Sequence, residues 1–263
     1  MTQQQPPAER QALMNALHET SWQYIAPVYW GGDELDAHSV VNNGTCFFLR
    51  IGQKLFGVTA HHVIAQYLRD REINPALYLR IKNCRIEWEG REIGSDKGLD
   101  LSTFQMTEAE FREIKTLALT YTEKEWPIRT PEPGNGAFLS GFANKDRKII
   151  NRKSIEFVGH SNGLVVTAIG KQELEIVLDP THLTSGGPLS TVPAEDHFGG
   201  FSGGPILAVS MRLDRVFFIA GVLIQSVHYT DDNKPLVSYI ARRIDCINTD
   251  GTLWRPNYAK GGE

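Results

Sequence analysis

Gly199-Gly200-Phe201-Ser202-Gly203-Gly204-Pro205, running into the apolar stretch Ile206–Val209, is the segment on which the reading of this chain turns. Glycines on both sides of a serine let the backbone bend sharply and turn its N–H groups toward one point. The apolar residues that follow read as a strand, so the hydroxyl sits at a turn that opens a strand. A serine hydroxyl attacks a carbonyl only if a base takes its proton, so the next question is where the chain carries one.

The base stands upstream. Phe56-Gly57-Val58-Thr59-Ala60-His61-His62-Val63 is a β run that ends in two histidines and a helical turn over Val63–Leu68. An imidazole that accepts a proton needs its other ring N–H held by an acceptor, which sets the tautomer and favours the imidazolium. Asp100, in Gly98-Leu99-Asp100-Leu101-Ser102, opens a strand at the edge of a core and can supply that carboxylate. Asp96, beside Lys97, reads instead as a solvated turn residue, and His61 as the residue that starts the helix. Ser185-Gly186-Gly187-Pro188 repeats the serine tetrapeptide, but Leu183 replaces the preceding glycine and no strand follows.

These three segments, in the order histidine, aspartate, serine, resemble the signature segments of chymotrypsin-fold (trypsin-like) serine peptidases. Gly44-Thr45-Cys46-Phe47-Phe48-Leu49 is similar to the strand before the histidine in cysteine-poor bacterial intracellular members. Gly221-Val222-Leu223 and Asn233-Lys234-Pro235-Leu236-Val237 are similar to strands flanking their substrate cleft. The resemblance spans residues 37–250 and implies an all-β fold: two antiparallel six-stranded β-barrels, here with an N-terminal helix. It also implies catalysis by His62, Asp100 and Ser202 and an oxyanion hole from the N–H groups of Gly200 and Ser202. Substrate contacts would come from Asp196, Ile224, Ser226 and Leu236. Asp196 lies six residues before the nucleophile, at the implied pocket base, where it would favour a basic residue; read from the sequence alone it is a solvated loop residue. Leu236 stands where trypsin has a glycine and would narrow the pocket.

Two departures matter. Phe201 stands where members activated by N-terminal cleavage carry an aspartate, so that route of activation is not expected. Ile224 replaces a serine that hydrogen-bonds the catalytic aspartate in digestive members.

The implied organisation is an N-terminal helical extension at 1–36, a first barrel at 37–125, a linker at 126–135, a second barrel at 136–250 and a tail at 251–263. Short β-rich runs separated by Gly, Asn and charged turns support it, and the proline-rich Tyr121–Gly134 separates the two halves. Ala12, Leu13, Ala16 and Leu17 give the N-terminal segment a helical apolar spacing.

Composition narrows the function. Hydrophobic residues make up 41% and charged residues 22% of the 263 residues, enough for a sizeable core. With 27 Lys and Arg against 31 Asp and Glu, the formal charge of -4 argues against a nucleic-acid partner. No apolar run approaches the ~18 residues of a membrane span, and residues 1–20 carry no apolar leader, so a cytoplasmic location is expected. The three cysteines, Cys46, Cys84 and Cys246, have no zinc-type spacing and read as reduced, buried thiols, with no metal and no cofactor expected. The expected activity is therefore a serine endopeptidase acting on protein or peptide, controlled by a regulatory partner or a blocked cleft. The alternative is a catalytically silent fold of the same type acting as a protein-binding module. An α/β-hydrolase esterase would order its residues serine, acid, histidine and is excluded.

Overall fold

The computed structural model describes residues 8–32, 41–151, 154–178, 199–209, 216–231 and 234–254. It is mostly β, with strands making up 53% of the described residues. None of the helices among the described residues is long and apolar enough to cross a membrane.

The chain begins with helix α1 (Ala8–Trp22) and enters strand β1 (Ile25–Gly31), followed by β2 (Asn42–Ile51) and β3 (Lys54–Thr59). Helix α2 (His61–Ile73) leads to β4 (Tyr78–Ile81), β5 (Cys84–Ile86), β6 (Glu92–Asp96) and β7 (Leu101–Gln105). Helix α3 (Glu108–Ile114) and β8 (Ala118–Tyr121) complete this half. Its strands form one sheet in the order β5-β4-β1-β2-β3-β7-β6, with β8 added to β2. The expected first six-stranded barrel is thus corrected to an eight-stranded sheet curled into a half-barrel. One pairing is parallel, β2 with β8 from Phe48↔Ala118 to Ile51↔Tyr121, because α3 and its turn return the chain in the direction of β2.

The second half holds six strands: β9 (Gly136–Asn151), β10 (Ser154–Ile169), β11 (Glu173–Leu178), β12 (Pro205–Val209), β13 (Phe217–Asp231) and β14 (Lys234–Arg243). They close as β10-β11-β14-β13-β12-β9, which leaves no unpaired edge. Its interior is a cluster of buried side chains that includes Leu139, Leu164, Ile176, Phe201, Ile206, Val237 and Tyr239.

A separate apolar cluster joins the halves. Phe47, Leu49, Phe56 and Leu101 from the first sheet pack with Phe138, Leu207, Ile219 and Ile244 from the second. The proline-rich crossing is anchored there too: Trp126 is buried and its indole N–H donates to the Ile247 carbonyl at 2.7 Å. Burial of this kind, at roughly 25 cal/mol per Å² of apolar surface, is what holds the halves in one register.

The N-terminal helix forms where its apolar spacing places it, but of its four apolar positions Leu17 alone packs against the core. Ala12, Leu13 and Ala16 are exposed. The contact with β9 and β10 runs instead through His18, edge-on to Phe138, and through Ser21. The Ser21 hydroxyl meets Ser140 at 2.8 Å and Ser161 at 3.0 Å, and Ser21 is fully buried. The sheet surface offered to α1 carries hydroxyls, so hydrogen bonds join the Leu17 and His18 contacts in setting the docking face.

Candidate active site

Helix α2 begins one residue after β3, and its N-terminus is where the site is built. Ala60 holds the N-cap position with no side-chain cap, so the first N–H groups of the helix need outside acceptors. Asp100 supplies them from 38 residues away. Its carbonyl accepts from the His61 N–H at 3.1 Å, and its carboxylate Oδ1 accepts from the His62 N–H at 2.9 Å. The other carboxylate oxygen, Oδ2, faces His62 Nδ1 at 2.8 Å. One carboxylate therefore caps the helix and orients the imidazole, with the positive end of the helix dipole favouring its charge.

The electrostatics agree with this geometry. Burial pushes the Asp100 carboxyl up, but the hydrogen bonds from the His62 ring and backbone, with the nearby His62 and His61 charges, hold it below the ordinary carboxylate value. The Asp100 side chain is 24% exposed and that of His62 47%, so the ring stands at the rim where a substrate could reach it. His61 points elsewhere: its Nδ1 is 2.8 Å from Ser95 Oγ, which lies 3.0 Å from Ser102 Oγ.

The serine turn comes from the closed barrel and docks against this helix start. Phe201 is fully buried in the barrel interior, packed on Gly141 and 6.1 Å from the His160 ring. It plugs the turn into the barrel, a role open to an apolar side chain and closed to a carboxylate. On the other side Thr45 of β2 grips the turn: its N–H donates to the Ser202 carbonyl at 2.9 Å and its hydroxyl to the Gly200 carbonyl at 2.7 Å. Gly203 has φ +88, and a Cβ there would lie 2.2 Å from the Thr45 carbonyl and Thr59 Oγ1 and 2.8 Å from the Ala60 nitrogen. The residue after Ser202 is thus pressed onto the residue that caps the helix of His62.

Gly200 has φ +97, a left-handed region that glycine enters freely. A Cβ there would meet the Phe142 carbonyl at 2.3 Å and the Asn43 and Asn144 side chains at 2.6 Å. Glycine at 200 is a requirement of space as well as of backbone angle.

The structure brings His62, Asp100 and the Ser202 turn to one place at the junction of the two halves. It joins His62 to Asp100 by hydrogen bond; among the described residues none joins His62 to Ser202 Oγ. Ile224 lies on β13 at a bulge between Leu223 and Gln225, directly after the residue whose carbonyl accepts from Gly203 N–H at 2.8 Å. Ser226 sits two residues further along the same strand, opposite Tyr239. Leu236 is in β14 opposite Tyr229. Asp196 and Ser185 lie outside the described residues. Among the described residues no cluster of three or more His, Cys, Asp or Glu could hold a metal ion.

One residue carries more than its sequence suggests. Asp96, expected as a solvated turn residue, is half-buried and its Oδ1 accepts from the Gly98 and Leu99 N–H groups at 2.8 and 2.9 Å. The spacing Asp-x-Gly-Leu is the available signal, since an aspartate readily accepts from backbone N–H groups two and three residues on. No family model matches this chain, and no curated protein matches it significantly.

Proposed function

We propose that this chain is a serine endopeptidase of the chymotrypsin type. The observation that carries the reading is the double grip of Asp100 on His62, at Nδ1 and at the backbone N–H, beside a serine turn pinned by Thr45. In the proposed cycle Ser202 Oγ attacks the peptide carbonyl while His62 Nε2 takes its proton. Asp100 accepts from Nδ1–H and stabilises the imidazolium. The N–H groups of Gly200 and Ser202 hold the oxyanion. His62 then gives its proton to the leaving amine, and water, activated by the same ring, releases the acyl group. Such hydrogen bonds commonly tighten only when substrate is bound, in keeping with the open His62–Ser202 pair. Control by a protein partner or by a blocked cleft belongs to the same proposal.

That open pair also favours a second reading, a fold of this type used as a protein-binding module. A fluorophosphonate probe separates the two. The peptidase reading expects covalent labelling of the wild type, lost in Ser202→Ala and reduced by several powers of ten in His62→Ala. A folded wild type that takes no label, or a Ser202→Ala variant labelled as fast as wild type, overturns it.

A further inference from the structure

Arg242 sits on β14 of the closed barrel, 5% exposed, and reaches across to the first half. Its Nε donates to the Leu99 carbonyl at 2.7 Å and its Nη2 to the Gly98 carbonyl at 3.4 Å. The far side of the guanidinium is held by Gln172 Oε1 at 3.3 Å and Glu173 Oε1 at 3.3 Å. The next residue along the clamped loop is Asp100, whose φ is +54. Such a conformation is uncommon for a residue with a Cβ, although Asp enters it more readily than most, so the path of the loop into Asp100 decides where the carboxylate points.

We propose that Arg242 is a positioning residue for Asp100: it clamps the two carbonyls preceding Asp100 and so holds the backbone that aims the carboxylate at His62. The inference rests on the reading of Asp100 as the group that orients His62. Asp96 closes the same loop from within through its bonds to Gly98 and Leu99 N–H, so N–H and carbonyl groups of one turn are fixed from two sides. The planar fork matters, because one guanidinium bonds both carbonyls and the Gln172 and Glu173 side chains at once, which an ammonium cannot reproduce. The consequence is a coupling between barrel docking and the site: movement of β14 away from the first half frees the loop and turns the carboxylate.

The alternative is that Arg242 only ties the halves together. Three measurements divide the two, and none needs peptide turnover. They are the downfield Nδ1 proton of His62, the carboxyl titration of Asp100 by carbon NMR, and the rate of fluorophosphonate labelling. In Arg242→Ala the proton signal should weaken and the Asp100 titration should move up toward the ordinary carboxylate range. Labelling should slow about 100-fold, the scale of an ångström-sized misplacement. Free guanidinium ion should restore all three. Arg242→Lys, which keeps a cation in the buried site, should fall between. If folded Arg242→Lys or Arg242→Ala keeps the His62 proton signal and the Asp100 titration unchanged, the positioning role is overturned whatever happens to stability. A wild type that shows the signal but takes no label refutes the peptidase reading instead, and the effect of Arg242 is still read from the spectra.

Discussion

Replacing Gly203 by alanine isolates how tightly the serine turn is pressed onto the helix of His62. Gly90→Ala is the control, because both positions have positive φ, +88 and +73. A left-handed conformation costs a residue with a Cβ roughly 1–2 kcal/mol, so each variant loses about that much. The surroundings differ. At Gly90 a Cβ meets nothing within 4 Å, whereas at Gly203 it meets the Thr45 carbonyl and Thr59 Oγ1, both at 2.2 Å. Two of the three nearest atoms are backbone, of strand β2 and of the helix cap, so relief requires moving elements and not rotating a side chain. Overpacking of this sort adds a further ~1–3 kcal/mol. The expectation is a loss of about 1–2 kcal/mol for Gly90→Ala and about 2–5 kcal/mol for Gly203→Ala. Urea unfolding followed by circular dichroism measures both, with a midpoint for Gly203→Ala about 1 M below that of Gly90→Ala at a slope near 2 kcal/mol/M. Because Ser202 must shift with its neighbour, labelling by the fluorophosphonate should fall in Gly203→Ala and hold in Gly90→Ala. Equal stability losses, within about 0.5 kcal/mol, would refute the tight docking of the turn.

Phe201→Ala removes the plug of the serine turn and should cost ~3–5 kcal/mol, measured by the same unfolding; a loss below about 1 kcal/mol would show that the turn is held from the Thr45 side alone. Asp100→Asn keeps the shape but offers His62 an amide, and labelling should drop by about 10⁴ while the chain stays folded. Glu110 is pushed up by burial but brought down to about 2 by its hydrogen bonds with Arg91 and Thr107. With the folded value below the unfolded one, its stabilisation is full above about pH 4.5 and is lost as pH falls toward 2. Glu110→Gln should therefore destabilise by about 2 kcal/mol at pH 7 and by almost nothing at pH 2, and an equal loss at both would contradict the ion pair. Burial pushes the Cys46 thiol far up and those of Cys84 and Cys246 up to about 11, so Ellman's reagent should find no fast thiol in the native chain at pH 8.

Much of the architecture can be read from local pattern. The strands Lys54–Thr59, Glu173–Leu178 and Pro205–Val209 lie where their alternation and flanking turns place them. Each is bounded by residues that break a strand, so a local signal suffices. Strand β1 is harder: Ile25–Gly31 is buried along its whole length, so it has no polar alternate positions to mark it, and Pro27 argues against a strand. It nonetheless lies at the centre of the first sheet between β2 and β4. Helix α3 was within reach, since Thr107 and Glu110 form a capping box with the required three-residue spacing.

The chemical types at the site, a histidine after a strand, an aspartate opening one and a serine among glycines, stand in the sequence because each depends on its immediate neighbours. Their mutual geometry does not. That Asp100 caps the helix of His62, that Thr45 rather than a nearby residue pins the serine turn, and that Arg242 reaches back to the loop of Asp100 are contacts across 38, 157 and 143 residues. Local propensity reports on neighbours within a few positions, whereas these bonds exist only once the buried Phe47–Ile219 cluster has brought the two halves together. Neighbouring residues set which groups are present and in what order; the packing between the halves sets which of them meet.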